Sequence, residues 1–555
     1  MTTRETTKNY NKEITLKTSD TIEPVENDLQ QKKNKLAASV TDTINTPMDK
    51  WAVCATLESL GLRDTDAQQD FDAHDLFDLS DEIYELCLLN ADSRKQADNN
   101  EHKPDNVFKL IKSFVKYYTR GLSFIAPILG QIGLLFLLRY SLWAYIEFTE
   151  RQATVVAVGT ILSFFVTGGF IQAAGRDVLF YLNSEEYFLA RKSFLRLFKY
   201  NTWAVIGITL LIFIANLIFT FFPLNMMIIS LGYFILLSEL WFSLSILYLA
   251  KHYIALLAIT VFAILPVYLV MENTDWGVFI AHYSGLVFAN LLSWFYSQIW
   301  FHKKIKSRES QIRTPLPSRS ILAYTTSLYF VYGLLYFGFL FVDRIVSWSA
   351  YNNEIPAFVI WFRTPYELGM DWALLSFFLT IALLEFTIER FSQTLIPNQQ
   401  RLSGFLITRF NNIYKRFYRK QFVLLCVMGL FSIFVTYYGV MYLKRFDHIQ
   451  EVRDFFSNRI TYFTFFIAAV SYLFMAIGLL NGLFFLTLSR LNFAIRSIGI
   501  GVVVNLFVGL ILSRLFSYEY GVFGLLAGSI VYAVVSFLYV NKFFNNLDYF
   551  YYSAY

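Results

Sequence analysis

From about residue 121 to residue 541 the chain is a succession of apolar, aromatic-rich stretches separated by short loops and three long basic connectors. Nearly all are long enough to cross a bilayer. A helix rises about 1.5 Å per residue and satisfies its own backbone hydrogen bonds, so roughly 20 apolar residues match the ~30 Å hydrocarbon core. The pattern predicts an all-α polytopic membrane protein with twelve spans, near 121–147, 153–175, 201–222, 224–250, 254–271, 276–300, 320–348, 368–390, 421–443, 460–488, 494–515 and 520–541.

Upstream of the spans the pattern changes twice. Residues 1–47, poor in aromatics and rich in Thr, Lys, Asn and Gln, are expected to form a disordered tail. Residues 48–106 read as an acidic helical module and linker. Trp51, Val53, Leu57 and Leu60, then Phe71, Leu76, Phe77, Leu79, Ile83, Leu86 and Leu88, recur at helical spacing among Asp64, Asp66, Asp70, Asp72, Asp75, Asp78, Asp81 and Glu82. The acids lack the central Gly and terminal Glu of a calcium loop, so they point to a solvated face or a partner-docking surface rather than a metal site. A basic approach, Lys109, Lys112, Lys116 and Arg120, leads into the first span.

Residues 1–30 contain no apolar core, which predicts that the N-terminus stays on the side of synthesis. With the N-terminus inside, Lys and Arg concentrate in the inside connectors, so the even span count places both termini in the cytosol. The layout also repeats. In residues 107–305 and again in 306–555, the link from second to third span is long, basic and amphipathic. Glu185, Lys192, Arg196 and Lys199 oppose Tyr187, Ala190, Phe194 and Leu197; Arg409, Arg416 and Arg419 oppose Leu406, Phe410, Ile413 and Phe417. Such segments are expected to lie in the inner headgroup layer, against membrane lipids. Two like-oriented six-helix halves follow, with a transporter as their natural use.

Composition changes this picture little: 56% of residues are apolar and 16% charged, and the small net charge of +5 sits in loops, so it is no nucleic-acid signal. Cys54, Cys87 and Cys426 are too scattered for a disulfide framework or metal cluster. The six histidines read as isolated interfacial residues. No phosphate loop, hydrolase triad or HExxH stretch is present, so neither enzyme chemistry nor a cofactor is expected. Gly168-Gly169, Gly499 and Gly501, and Gly521 to Gly528 lie in spans, where they permit close helix packing.

Ionisable groups inside spans are costly in lipid and face a cavity or a partner. The candidates are Arg139 in the outer half of span one, Glu239 near the midplane of span four, Asp343 and Arg344 toward the outer end of span seven, and Glu385, with Glu389, toward the inner end of span eight. For Arg344 and Glu389 snorkelling to the headgroups competes with a site role. For Glu239 and Arg139 a cavity role competes with a structural ion pair. Glu239 is the acid best placed to couple transport to proton movement.

The twelve-span layout, the paired inner connectors and the hairpin Tyr520-Gly521-Val522-Phe523-Gly524-Leu525-Leu526-Ala527-Gly528 resemble the polysaccharide-exporter branch of the multidrug/oligosaccharidyl-lipid/polysaccharide (MOP) flippase superfamily, and most of all PelG-type exopolysaccharide transporters. Phe341-Val342-Asp343-Arg344-Ile345-Val346-Ser347-Trp348, Arg363-Thr364-Pro365-Tyr366-Glu367-Leu368 and Ile388-Glu389-Arg390-Phe391 carry the same likeness. It covers about residues 107–550; the acidic module is not part of it. The resemblance implies a MATE-like fold in the inner membrane. It also implies export of a polysaccharide or lipid-linked sugar, with a cytosolic glycosyltransferase and other synthase-complex membrane proteins as partners. The competing readings are a membrane-embedded glycosyltransferase or acyltransferase, and a small-drug antiporter on the same fold.

Overall fold

The computed structural model describes residues 23–44, 47, 49–99, 107–123, 125–307, 315–350, 359–401, 407–444 and 457–552. The chain divides into two compact units, one running to Asn106 and including Ser392–Phe410, the other holding the rest of the chain.

Among the described residues up to Asn106 the first unit forms α1 (Glu23–Ile44), α2 (Lys50–Ser59), α3 (Asp64–Phe71) and α4 (Leu76–Asn99). Residues 23–44 therefore depart from the expected disordered tail. The cause is a narrow apolar stripe, Leu36, Ala37, Val40 and Ile44, which packs on Val53, Leu57, Leu79 and Ile83 while Lys33 pairs with Glu82 at 2.5 Å. Much of the Asp run is accounted for by helix starts. Asp49 accepts from Ala52 N at 2.8 Å, Asp66 from Arg63 N at 2.9 Å, Asp75 from Asp78 N at 2.8 Å and Asp64 from Leu76 N at 3.0 Å. Each carboxylate satisfies an orphan N–H and meets the positive end of a helix dipole.

The second unit is a bundle of helices long and apolar enough to cross a membrane, eleven in number among the described residues, or twelve if one bent pair counts as a single span. That pair is span one. Instead of the continuous helix expected over 121–147, α5 (Val107–Leu122) and α6 (Ala126–Leu138) meet at 60°, with Pro127 in the first turn of α6. The helix ends at Leu138, because Arg139 takes a left-handed conformation at φ 68°. The aromatic run beyond it forms a turn instead, closed by a Tyr140–Tyr145 bridge. Gln131 holds that turn, accepting from Leu142 N at 2.8 Å and donating to Thr260 O at 2.7 Å.

The next spans are α7 (Glu150–Asn183), α8 (Tyr187–Phe219), α9 (Leu224–Leu249), α10 and α11 (Tyr253–Phe262, Ile264–Asn273) and α12 (Val278–Lys306). The α10–α11 break lies just before Pro266, which has no N–H to offer the preceding turn. The second half is α13 (Arg319–Trp348), α14 (Thr364–Arg401), α15 (Ile407–Leu443), α16 (Arg459–Thr487), α17 (Leu491–Leu515) and α18 (Val522–Asn545).

The two amphipathic connectors are not separate surface helices. Residues 187–200 are the first turns of α8, and their apolar face, Ala190, Phe194 and Leu197, is buried against Phe242 and Phe301. Burial against protein replaces the expected contact with lipid. In α15 the buried face is Asn411, Tyr414 and Tyr418, one position from the expected one; Leu406 lies outside the described residues, as do the side chains of Arg409 and Phe410. Where α7 crosses α13, a Cβ on Gly333 would overlap the carbonyl of Gly168, so the two backbones touch there only because residue 333 is a glycine.

Candidate functional site

Arg344 is the centre of a buried cluster between α13 and α14. Glu367 and Asp371 stand four residues apart on one face of α14, and Arg344 Nη1 donates to Glu367 Oε2 and, at 2.8 Å, to Asp371 Oδ1. Trp348 Nε1 donates to the other Glu367 oxygen at 2.7 Å, and the Tyr366 hydroxyl donates to Asp343 Oδ2 at 2.9 Å. The Arg344 and Glu367 side chains are 6% and 4% exposed, whereas that of Asp371 is 64% exposed. The cluster is thus sealed on one side and open through Asp371.

Three carboxyl groups surround one guanidinium, a formal surplus of acid in a low-dielectric setting. Among the described residues, Asp343 Oδ1 is buried without a hydrogen-bond partner, and the Tyr472 hydroxyl lies beside the Arg344 guanidinium, whose Nε and Nη2 are not engaged by a carboxylate. An acid-rich site with spare donors and acceptors and one exposed member has the chemistry to take up and release a cation, a proton included. Arg344 does not snorkel: the acids one helix away hold its charge inside the bundle. Glu367 lies in a segment that carries the family resemblance but was not among the site candidates. Asp371, four residues further on, was the signal available for it.

A second cluster occupies the middle of α14. Arg120 Nε lies 3.0 Å from Glu385 Oε1 and 3.0 Å from the Tyr253 hydroxyl, and the Tyr117 hydroxyl donates to Glu389 at 3.0 Å. Glu389 therefore also faces protein. Arg120, read as part of the basic approach to the membrane, is instead a packed residue of α5.

The other candidates fall elsewhere. Arg139 is not within a span: it is exposed at the end of α6 and pairs with Glu147 at 3.2 Å, so it is no partner for Glu239. Glu239 lies mid-way along α9, with the Thr202 side chain beside its carboxyl group. His282 corrects the reading of the histidines as interfacial, being fully buried in α12 with Nδ1 2.6 Å from the Tyr233 hydroxyl. An apolar concavity of about 500 Å³ beside α12 is lined by Pro266, Ile280, Tyr283, Val287 and Leu291. Its Tyr283 hydroxyl is already bound to Ile229 O at 2.6 Å, which leaves little with which to hold a sugar.

No protein-family model and no curated protein matches the chain. Solved structures do. An outward-facing multidrug resistance MATE family transporter of the MOP superfamily is similar at 13% identity and a TM-score of 0.53, over 80% of this chain and 96% of that one. A MOP superfamily transporter from Pyrococcus furiosus, described as having a binding pocket of reversed polarity, is similar at 12% identity and 0.52, over 79% and 96%. An inward-facing MATE family transporter gives 12% and 0.50, over 75% and 95%. The chain therefore has a MATE-like fold, with eleven or twelve helices among the described residues long and apolar enough to cross a membrane.

Proposed function

We propose that this protein moves a polysaccharide or a lipid-linked oligosaccharide across the cytoplasmic membrane by alternating access, its two halves rocking against one another. In this reading both termini are cytosolic, and a glycosyltransferase with further synthase-complex membrane proteins delivers the substrate. One observation carries the reading. Two of the stretches that resemble polysaccharide exporters, Phe341–Trp348 and Arg363–Leu368, lie on successive helices and meet at the Arg344–Glu367 pair. Aromatic faces of the kind that sugars stack on are present where the halves meet, Phe164 stacking on Trp241 at 4.7 Å and on Phe341 at 5.6 Å.

The fold serves a small-molecule antiporter equally well, and the acid-rich Arg344 cluster suits ion exchange in either case. A membrane glycosyltransferase is less well supported. The two acids of the first outer loop are engaged, Glu147 by Arg139 at 3.2 Å and Tyr145 at 2.7 Å, and Glu150 by Trp361 at 2.9 Å. The decisive experiment is a deletion strain. Polymer accumulating inside, restored to the exterior by the wild-type chain, is the expected result. Normal polymer export with lost dye efflux would transfer the assignment to a drug antiporter.

A further inference from the structure

The unit that runs to Asn106 keeps two aromatic side chains out of its core. Val53, Cys54 and Leu57 of α2 and Leu79, Ile83 and Cys87 of α4 are buried, so the opposite faces of both helices look outward. Trp51, Ala55 and Glu58 follow one another at helical spacing on the exposed face of α2, as Phe77, Asp81 and Glu85 do on that of α4. The two faces meet at Trp51 and Phe77, whose rings stand edge to face with their centres 5.4 Å apart. Lys50, paired with Asp81 at 3.2 Å, closes the same seam one step away. Trp51 is 61% and Phe77 51% exposed. Two large rings left side by side in water forfeit the burial that drives folding, and exposed aromatics of this kind, Trp above all, are the anchors of docking sites.

The surroundings of the pair select its occupant. Residues 49–85 carry eleven acids against two basic residues, Lys50 and Arg63. Capping a helix start satisfies backbone N–H groups without neutralising the carboxylates, so the face stays negative. An anionic inner leaflet repels such a face, and so does a nucleic acid. A second copy of the chain would set the same acids against one another across a two-fold axis. A merely solvated acidic surface needs no aromatic pair at its centre. The face suits a protein segment of opposite charge that has an apolar side to lay on the rings.

We propose that the seam between α2 and α4 at Trp51 and Phe77 docks a Lys- and Arg-rich amphipathic helix of another protein. Two packed helices leave a groove along their seam into which the ridge of a third can fit. The apolar residues of that helix cover the two rings, and its cations meet Asp49, Glu58, Asp81 and Glu85 around them. The rings supply the contact energy; the acids steer the partner in and fix its orientation. This chemistry follows from the N-terminal unit alone, whatever substrate the membrane part carries.

The test uses the full chain in cells of its own host. A benzophenone amino acid, p-benzoylphenylalanine, replaces Trp51 or Phe77, keeps an aromatic ring at the seam and links to bound protein on illumination; the linked segment is then sequenced. The expected result is a segment of another protein with net positive charge and apolar residues three and four apart, linked from both positions and not from a probe at Ser39, which is exposed on α1. Glu58→Lys combined with Glu85→Lys should lower the yield at least about tenfold. A salt series on isolated membranes repeats the test without altering the acids: raising sodium chloride from about 0.05 M to about 0.5 M should lower the yield severalfold. No link from either position, a link only to lipid or to a second copy, a linked segment without net positive charge, or a yield indifferent to both charge reversal and salt would overturn the proposal.

Discussion

Arg120 Nε stands 3.0 Å from Glu385 Oε1, which ties the first limb of the broken span one to the middle of α14. The pair joins the two six-helix halves. We predict that Arg120→Gln and Glu385→Gln each lower the thermal midpoint, and that the double variant loses less than their sum. The pair is largely shielded from water, so the coupling should be about 1–3 kcal/mol. A double-mutant cycle by thermal melting measures it, and a coupling indistinguishable from zero would show the contact to be incidental.

Removal of Arg344 strands two buried acids. Arg344→Met should cost about 3–5 kcal/mol, because Glu367 and Asp343 lose the cation that faces them both. Adding Glu367→Gln should restore part of that loss by removing one stranded carboxylate. Detergent-solubilised yield and melting temperature report both effects; a double variant less stable than Arg344→Met alone would contradict this charge balance.

The N-terminal unit has its own core, so we predict that residues 23–99 fold as a fragment and that deletion of residues 1–100 leaves the membrane part folded. Its outer face carries Trp51 and Phe77, 61% and 51% exposed and 5.4 Å apart, in keeping with a docking role. A truncated chain that binds the synthase and exports polymer at the normal rate would exclude that role. The fragment should also respond to acid. The Asp78 backbone N–H above all, with help from His74, holds the Asp75 carboxyl below the usual range. A carboxyl depressed by folding stabilises the folded state above its unfolded pKa of about 3.9 and loses that contribution as pH falls through the folded value. Asp75→Asn should lower stability between about pH 5 and 7, where the contribution is fully present, and flatten the acid limb below about pH 4.

Sidedness follows from the Lys and Arg distribution. In a chain lacking Cys54, Cys87 and Cys426, single cysteines at positions 352 and 447 should react with an impermeant thiol reagent in intact cells, and those at 310 and 412 should not. Positions 310, 352 and 447 lie outside the described residues, whereas Asn412 is exposed on α15. Labelling at 310 would invert the topology.

Hydropathy made the number of spans legible, because length and apolarity alone decide whether a helix can cross a bilayer. It failed at residues 139–149, where Tyr140, Trp143 and Phe148 belong to an aromatic run that forms a turn held by Gln131 rather than the end of a helix. The amphipathic start of α8 was read correctly as two faces and wrongly as a surface helix, since periodicity shows that a face is buried and not whether lipid or protein buries it. The Arg344 cluster was half legible. An intramembrane charge announces that a partner exists, but Glu367 and Asp371 enter from another helix. Arg120 was hidden among the lysines of the basic approach.

The contact between α7 and α13 offers the sharpest steric prediction. A Cβ on Gly168 would meet the near edge of the Phe337 ring, a side chain that can turn away, though it stacks on Phe164. One on Gly333 would meet the backbone carbonyl of Gly168, which cannot move without separating the helices. Gly333→Ala should therefore be the more damaging change, costing about 1–3 kcal/mol as overpacking does, while Gly168→Ala falls at or below the lower end. These helices come from different halves, so forcing them apart should also slow transport in proportion to the lost stability. Melting temperatures and export rates of the two variants test the order. A Gly333→Ala protein as stable and as active as the wild type would show that the close backbone approach is not required.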